Sequence, residues 1–251
     1  MTSYCKTEAF IFKKEDRFET DRIFSVFSRD FGRIEIFGKA IRKITSKLRG
    51  GVEIFSFSEI EFVEGKNKKI LTDALYIRKF KNIQKTPEKL EIAYRISDIL
   101  DSFIKGQEKD EKIWDLIKDV FNRLDELEPS AKECYLVYCY FIWNFIVALG
   151  YTPELFFCAV CRTKLSPYNL YFSNREGGLI CNKCFNLKKN GLEIKSDIVK
   201  ILRLILKKDW DTLSKLKAGG EWQKSLKEIS ANYFSYHLAA ESDAKISMEN
   251  E

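Results

Sequence analysis

Ile23-Phe24-Ser25-Val26-Phe27-Ser28, then Arg29-Asp30-Phe31-Gly32, then Arg33-Ile34-Glu35-Ile36-Phe37-Gly38 read as strand, turn and strand, and this hairpin decides the first half of the fold. Its two runs are rich in β-branched and aromatic side chains, and the Gly between them supplies the positive φ that a tight turn requires. Working outward, Tyr4–Phe12 precedes it, while Glu53–Val63 and Leu71–Phe80 follow, separated by a second turn at Glu64-Gly65-Lys66-Asn67. Five such strands predict a small barrel. Beyond Thr86-Pro87 the apolar period changes. Leu90, Ala93, Ile96, Leu100 and Phe103 fall three and four apart, as do Ile113, Leu116, Val120, Leu124 and Leu127, which is the spacing of amphipathic helices. Polar breaks at Lys105–Lys112 and Glu126–Ser130 separate the helices, with Pro129 suited to a first helical turn. A further helical block begins near Ser196, a plausible N-cap, and runs through Ile198, Ile201, Leu202 and Ile205. The fold class is therefore α+β, a β module followed by a helical body.

The 251 residues are 45% hydrophobic and 32% charged, too apolar for a disordered chain and too polar for a multi-span membrane protein. The net charge of +6 is unevenly placed: residues 1–85 carry 19 basic and 12 acidic side chains, and the other 166 carry 24 and 25. The positive excess belongs to the β module. Cys134–Leu149 is an uncharged run of sixteen residues, about 24 Å as a helix against a hydrocarbon core of roughly 30 Å. It also holds Asn144 and three tyrosines, so a buried helix is expected and no membrane association. The early apolar run, Ala9–Phe12, ends at Lys13 and Lys14, too soon for a secretory signal. The expected location is the reducing cytoplasm.

Cys158-Ala-Val-Cys161 and Cys181-Asn-Lys-Cys184 are two C-x-x-C knuckles nineteen residues apart, the spacing of a tetrahedral zinc site. Four thiolates saturate Zn²⁺ and leave no position for water, so the pattern predicts one structural ion. Gly177-Gly178 gives the backbone room to reverse before the second knuckle, and Arg162, Lys164 and Lys183 could offset the centre's negative charge. Cys5, Cys134 and Cys139 lack such spacing and read as packing residues.

Lys39–Arg49 (KAIRKITSKLR) carries Lys39, Arg42, Lys43, Lys47 and Arg49 with no acidic residue. Phosphate backbones favour such a cluster because neutralising them releases counterions, and five contacts to a single strand give a log–log salt slope of about −3.5. Phe37, placed by alternation on the same face as Glu35, is a base-stacking candidate. Two rivals compete with a DNA-binding protein: a nuclease built on Glu59, Glu61 and Glu64, and a zinc-stapled protein-interaction adaptor without direct DNA binding. Catalytic residues are expected to be none. His237 lies between Tyr236 and Leu238 and reads as a packed or surface side chain.

Several segments share the order and spacing of one known family. They are Glu19–Lys43 with Glu19, Asp21, Arg22 and Phe31-Gly32; Ser46, Leu48, Arg49 and Gly50 after the basic loop; and the strand near Phe55. Farther on come Leu149-Gly150-Tyr151-Thr152-Pro153-Glu154-Leu155 before the first knuckle, Tyr171-Phe172-Ser173 and Gly177-Gly178 before the second, and Tyr236-His237-Leu238. Together they resemble the RecO family of bacterial DNA repair proteins over most of the chain. Two positions depart from the family pattern: Ala40 stands where a Gly is usual, and Ile44 where a Pro is. The resemblance implies a five-stranded oligonucleotide-binding (OB-type) barrel over residues 1–81 and a helical domain over 82–251, with a zinc-binding insertion at about 156–190. It implies a non-enzymatic recombination mediator that binds single- and double-stranded DNA and promotes annealing. With RecR, such a protein helps load the recombinase onto strands coated by single-stranded-DNA-binding protein, whose C-terminal tail is a further partner. A nucleoid-associated location follows from the same likeness.

Overall fold

In the computed structural model, strands β1 (Tyr4–Arg17), β2 (Asp21–Ser28), β3 (Gly32–Gly38), β4 (Ser56–Glu64) and β5 (Lys69–Lys79) pair in the closed order β1-β2-β3-β5-β4. Residues 4–66, 68–104, 106–128, 130–216 and 221–248 are described, so Asn67, Lys105 and Pro129 of the expected turns and breaks lie outside the described residues. Four of the pairings are antiparallel. The barrel closes through a short parallel one, Ile36 opposite Lys69 and Phe37 opposite Ile70. This is an OB-type barrel. Alternate side chains fill its interior, among them Ala9, Ile11, Phe24, Val26, Ile34, Ile36, Ile60, Phe62 and Leu71.

Strand ends differ from the sequence expectation by one or two residues in most places and by more at two, the end of β1 and the start of β4. β1 continues past Phe12 because Lys13–Arg17, beyond a bulge, still pair with Ser25–Asp21. The added arm is mostly exposed, which is why its polar sequence does not read as a strand. β4 begins at Ser56 rather than Glu53, since Phe55 adopts a φ of 58° and turns its buried ring against Tyr94 and Phe121.

Helices α1 (Lys81–Lys85), α2 (Pro87–Phe103) and α3 (Glu111–Glu126) belong to the same compact unit as the barrel, Met1–Cys134. The unit thus extends beyond the end of the strand pattern near residue 80. The reason is the outward face of the barrel. Phe10 and Phe57 alternate with the interior residues yet are buried, Phe10 against Phe121 at 4.4 Å and Phe57 against Trp114 at 5.1 Å between ring centroids. Burying such a side chain contributes about 1.5–3 kcal/mol. Asp101 of α2 fastens this layer to the barrel, accepting from Lys13 of β1 at 2.7 Å and from Arg33 of β3. Asp110 caps α3, its carboxylate accepting from the amides of Lys112 and Ile113.

The second unit, Tyr135–Glu251, takes up most of α4 (Ala131–Ala148) and then β6 (Leu170–Ser173), β7 (Gly178–Cys181), α5 (Asn182–Lys188), β8 (Leu192–Ile194), α6 (Ser196–Leu206), α7 (Trp210–Ser214) and α8 (Glu221–Met248). The uncharged run expected to be a buried helix is α4, buried around most of its circumference. Its polar atoms are satisfied inside the unit. Trp143 Nε1 donates to Ser230 Oγ of α8 at 2.9 Å, and Asn144 Nδ2 donates to the carbonyls of Tyr140 and Ile205. Among the described residues no helix is long and apolar enough to cross a membrane. Ser196 is the first residue of α6 rather than its N-cap, which is Lys195, and no side chain caps that end.

Candidate nucleic-acid interface and metal centre

The basic stretch leaves β3 as a turn and ends in a 3₁₀ helix, Lys47–Gly51. Two apolar side chains pin it. Ile41, 2% exposed, enters the barrel core, and Leu48 packs against that core. With these inward, Lys39, Arg42, Lys43, Lys47 and Arg49 are all exposed. Two backbone amides tie the loop to the β1–β2 hairpin: Ala40 N–H donates to Asp21 Oδ1 at 2.7 Å, and Arg42 N–H to the Thr20 carbonyl at 2.9 Å. Ala40 has a φ of 53°. The left-handed turn that Gly would occupy without strain is therefore present with Ala in its place.

Charge around the loop is not uniform. Arg42 Nη1 lies 3.5 Å from Asp16 Oδ2, and Asp16 Oδ1 also accepts from Arg22 Nε at 2.7 Å. The Arg22 bond holds the Asp16 carboxyl below its ordinary pKa. Lys39, Lys43, Lys47 and Arg49 form no ion pair among the described residues. A hollow of about 260 Å³ opens beside the loop, lined by Arg22, Phe24, Ile41, Arg42, Arg49 and Val52. Arg22 is thus a third guanidinium at this place. The sequence signal for it is its place with Glu19 and Asp21 in the family pattern.

Phe37 is half-buried and lines a separate hollow with Arg33, Lys66 and Lys69. Lys68 Nζ stands 4.6 Å from its ring centroid, a cation–π contact. The acidic residues of the nuclease rival do not converge on an ion site. Lys6 Nζ lies 2.7 Å from Glu59 and 3.4 Å from Glu61, and Lys69 Nζ lies 3.1 Å from Glu64.

The sulfur atoms of Cys158, Cys161, Cys181 and Cys184 all lie within 4.8 Å of one another, and Cys161 and Cys181 are 3.7 Å apart. Sulfurs bound at about 2.3 Å around a tetrahedral ion stand about 3.8 Å apart, so the four residues fit a metal ion. Local backbone geometry makes the site. Cys158 N–H donates to the Thr163 carbonyl and Arg162 N–H to that of Cys158, closing the first knuckle around Arg162 at a φ of 59°. A bridge between Glu154 and Gly178 then brings the lead-in of that knuckle alongside β7. Here a Cβ on Gly178 would sit 2.3 Å from the Glu154 carbonyl oxygen, so only Gly fits.

Hydrogen bonds from the Thr163 side chain and backbone bring the Cys161 thiol down to about 6, whereas burial and then the neighbouring thiols push Cys184 up to about 12. Four thiols this close do not all ionise unless a cation joins them. Arg162, one of the residues expected to offset that charge, instead reaches Glu154 Oε2 at 3.1 Å.

Sequence comparison matches two family descriptions in tandem: "Recombination protein O N terminal" over residues 1–80 and "Recombination protein O C terminal" over residues 84–244. The chain belongs to the RecO family. A DNA repair protein RecO of Dehalococcoides mccartyi strain 195 is 33% identical over 216 residues, 86% of this chain and 83% of the relative. One from Thermoanaerobacter sp. strain X514 is 28% identical over 250 residues, 98% and 97% of the two chains. RecO family membership supports a role in DNA repair and recombination, and the two matched segments meet where the barrel strands give way to helices.

Proposed function

We propose that this chain is a non-enzymatic recombination mediator that binds single- and double-stranded DNA through the basic loop, with Lys39, Arg42, Lys43, Lys47 and Arg49 taking phosphates. It promotes annealing and, with RecR, helps load the recombinase onto strands coated by single-stranded-DNA-binding protein. One observation carries the reading: Ile41 and Leu48 pin the loop to the barrel core and leave every cation of it, with Ile44, in solvent. Such a surface lowers the repulsion between two strands, and contacts to phosphates leave the bases free to pair. The domain that does this is the barrel of residues 1–81, with Phe37, in a separate hollow of the same barrel, as a stacking candidate. The tetrathiolate centre holds Zn²⁺, which contributes folding energy and no reaction chemistry. The protein works in the cytoplasm, at the nucleoid, and the tail of the single-stranded-DNA-binding protein is a second contact.

Annealing of complementary oligonucleotides precoated with that protein, with and without this chain, tests the reading; acceleration is expected. DNA affinity unchanged when the five cations become Ala would favour the adaptor instead. Cleavage of labelled DNA in Mg²⁺ or Mn²⁺ would refute the non-enzymatic reading.

A further inference from the structure

Phe18 stands in the turn between β1 and β2, 81% exposed and with a φ of 53°. Both facts work against folding. An exposed ring forfeits the free energy of burial, and a bulky L-residue in the left-handed region is strained where Gly or Asn is the ordinary occupant. Its ring meets no aromatic or cationic partner among the described residues.

The neighbourhood supplies a reason. The Arg42 amide docks on the carbonyl of Thr20, two residues from Phe18, and the Ala40 amide docks on the Asp21 carboxylate. The turn itself carries Glu19 and Asp21 beside Arg17 and Arg22, and these two arginines already pair with Glu15 at 3.6 Å and Asp16 at 2.7 Å, so the cations that draw phosphate are those of the loop. The exposed ring is therefore held next to the point where the cationic loop is fastened to the hairpin. Phosphates drawn to the loop bring bases within the same strand's reach. Only an unpaired base offers a free π-face; in a duplex that face is already stacked.

We propose that Phe18 is a base-stacking residue for single-stranded DNA, so that loop and ring together favour unpaired strands over duplex. This rests on the DNA-binding reading above and adds a residue and a selectivity to it. Stacking is tolerant of sequence, because every base presents a π-face.

The experiment uses the full chain and three labelled ligands of equal length at one salt concentration: oligothymidylate, an abasic strand and a duplex. The expected result is that Phe18→Ala loses about tenfold in affinity for oligothymidylate, within the range of one stacked base, and keeps wild-type affinity for the abasic strand and the duplex. Phe18→Trp keeps the oligothymidylate affinity, and the added indole emission is quenched as that strand binds. Phe18→Asn, which suits the left-handed backbone, melts at a higher temperature than wild type yet loses the same affinity as Phe18→Ala, which separates the loss from any failure to fold. Wild-type affinity of Phe18→Ala for all three ligands overturns the inference and leaves DNA binding by the loop standing. An equal loss on all three also overturns it, because the ring would then position the loop rather than stack. If wild type binds none of them at low ionic strength, the inference and the proposed function fall together.

Discussion

Replacing Lys39, Lys43, Lys47 and Arg49 together by Ala should flatten the salt dependence of single-strand binding by an amount that follows from the ion pairs of the loop. Each phosphate neutralised on a single strand contributes about −0.7 to the slope of log affinity against log salt, so five cations set a ceiling of about −3.5. Arg42 already has Asp16 at 3.5 Å. Its charge is partly balanced before DNA arrives, and fewer counterions are released on its account. The four cations without a carboxylate partner among the described residues should therefore carry a slope of about −2.8. Raising salt from roughly 50 to 200 mM would weaken wild type about fiftyfold through these four alone, while the variant keeps only the remaining dependence. Anisotropy titrations of a labelled strand at four or five salt concentrations give both slopes, with circular dichroism confirming that the barrel is intact. A quadruple variant that retains the wild-type slope would refute the reasoning, since the loop would then not be where phosphates are neutralised. Charge reversal at Arg42 and Lys43 adds a check on specificity: unrelated sequences should lose affinity alike, because phosphates carry no sequence information.

Other outcomes can be checked in parallel. Ala40→Gly should raise the unfolding free energy by roughly 0.5–1 kcal/mol in urea titrations, since it relieves a left-handed Ala, and Ala40→Val should lower it. If the four thiolates hold an ion as proposed, Cys158→Ser or Cys181→Ser should abolish metal uptake and cost on the order of several kcal/mol of stability, with DNA affinity per folded molecule changing less. Equal metal content in wild type and variant would count against this. His237 is packed at 4.4 Å between ring centroids from both Tyr151 and Tyr233, its Nε2 has no hydrogen-bond partner among the described residues, and burial lowers its pKa from 6.5. A His whose folded pKa is depressed contributes stability that is present above its unfolded pKa and lost as pH falls through the folded value. Wild type should therefore lose melting temperature more steeply than His237→Phe as pH falls below about 6.5; parallel curves for the two would show that this ring does not take part.

Much of this architecture was legible because local chemistry and tertiary structure agree. The hairpin at Ile23–Gly38 is marked by Gly32, whose φ of 61° and close approach to the Glu108 backbone leave no room for a side chain. The knuckles are marked by spacing alone, because two residues between sulfurs fix how the chain must turn. What alternation could not show is which buried residues face the barrel interior and which face helices. Phe24 and Phe10 look alike in sequence, yet one fills the barrel and the other meets Phe121 of α3. Nor could composition reveal Phe18. It sits in the charged run Glu15–Asp21, and its exposure depends on the hairpin arm that Lys13–Arg17 form with Asp21–Ser25. The basic loop was visible as charge, but its attachment through Ile41 and Leu48 is a matter of packing. The Asp16 partner of Arg42 comes from pairing across strands that sequence distance conceals.

The aromatic seam between barrel and helices limits how this protein can be cut. Truncation after residue 81 would wet Phe10, Phe55, Phe57 and Phe80, all of which pack against Phe121, Trp114 or Tyr94 downstream. At about 25 cal/mol per Å² and 150 Å² or more per ring, the exposed surface would cost on the order of 10 kcal/mol, comparable to the whole stability of a domain. The compact unit that contains both sides of this seam is Met1–Cys134. Although its strands close on themselves, the barrel is no portable cassette: swapping it between proteins means carrying α1 to α3 along as its lining.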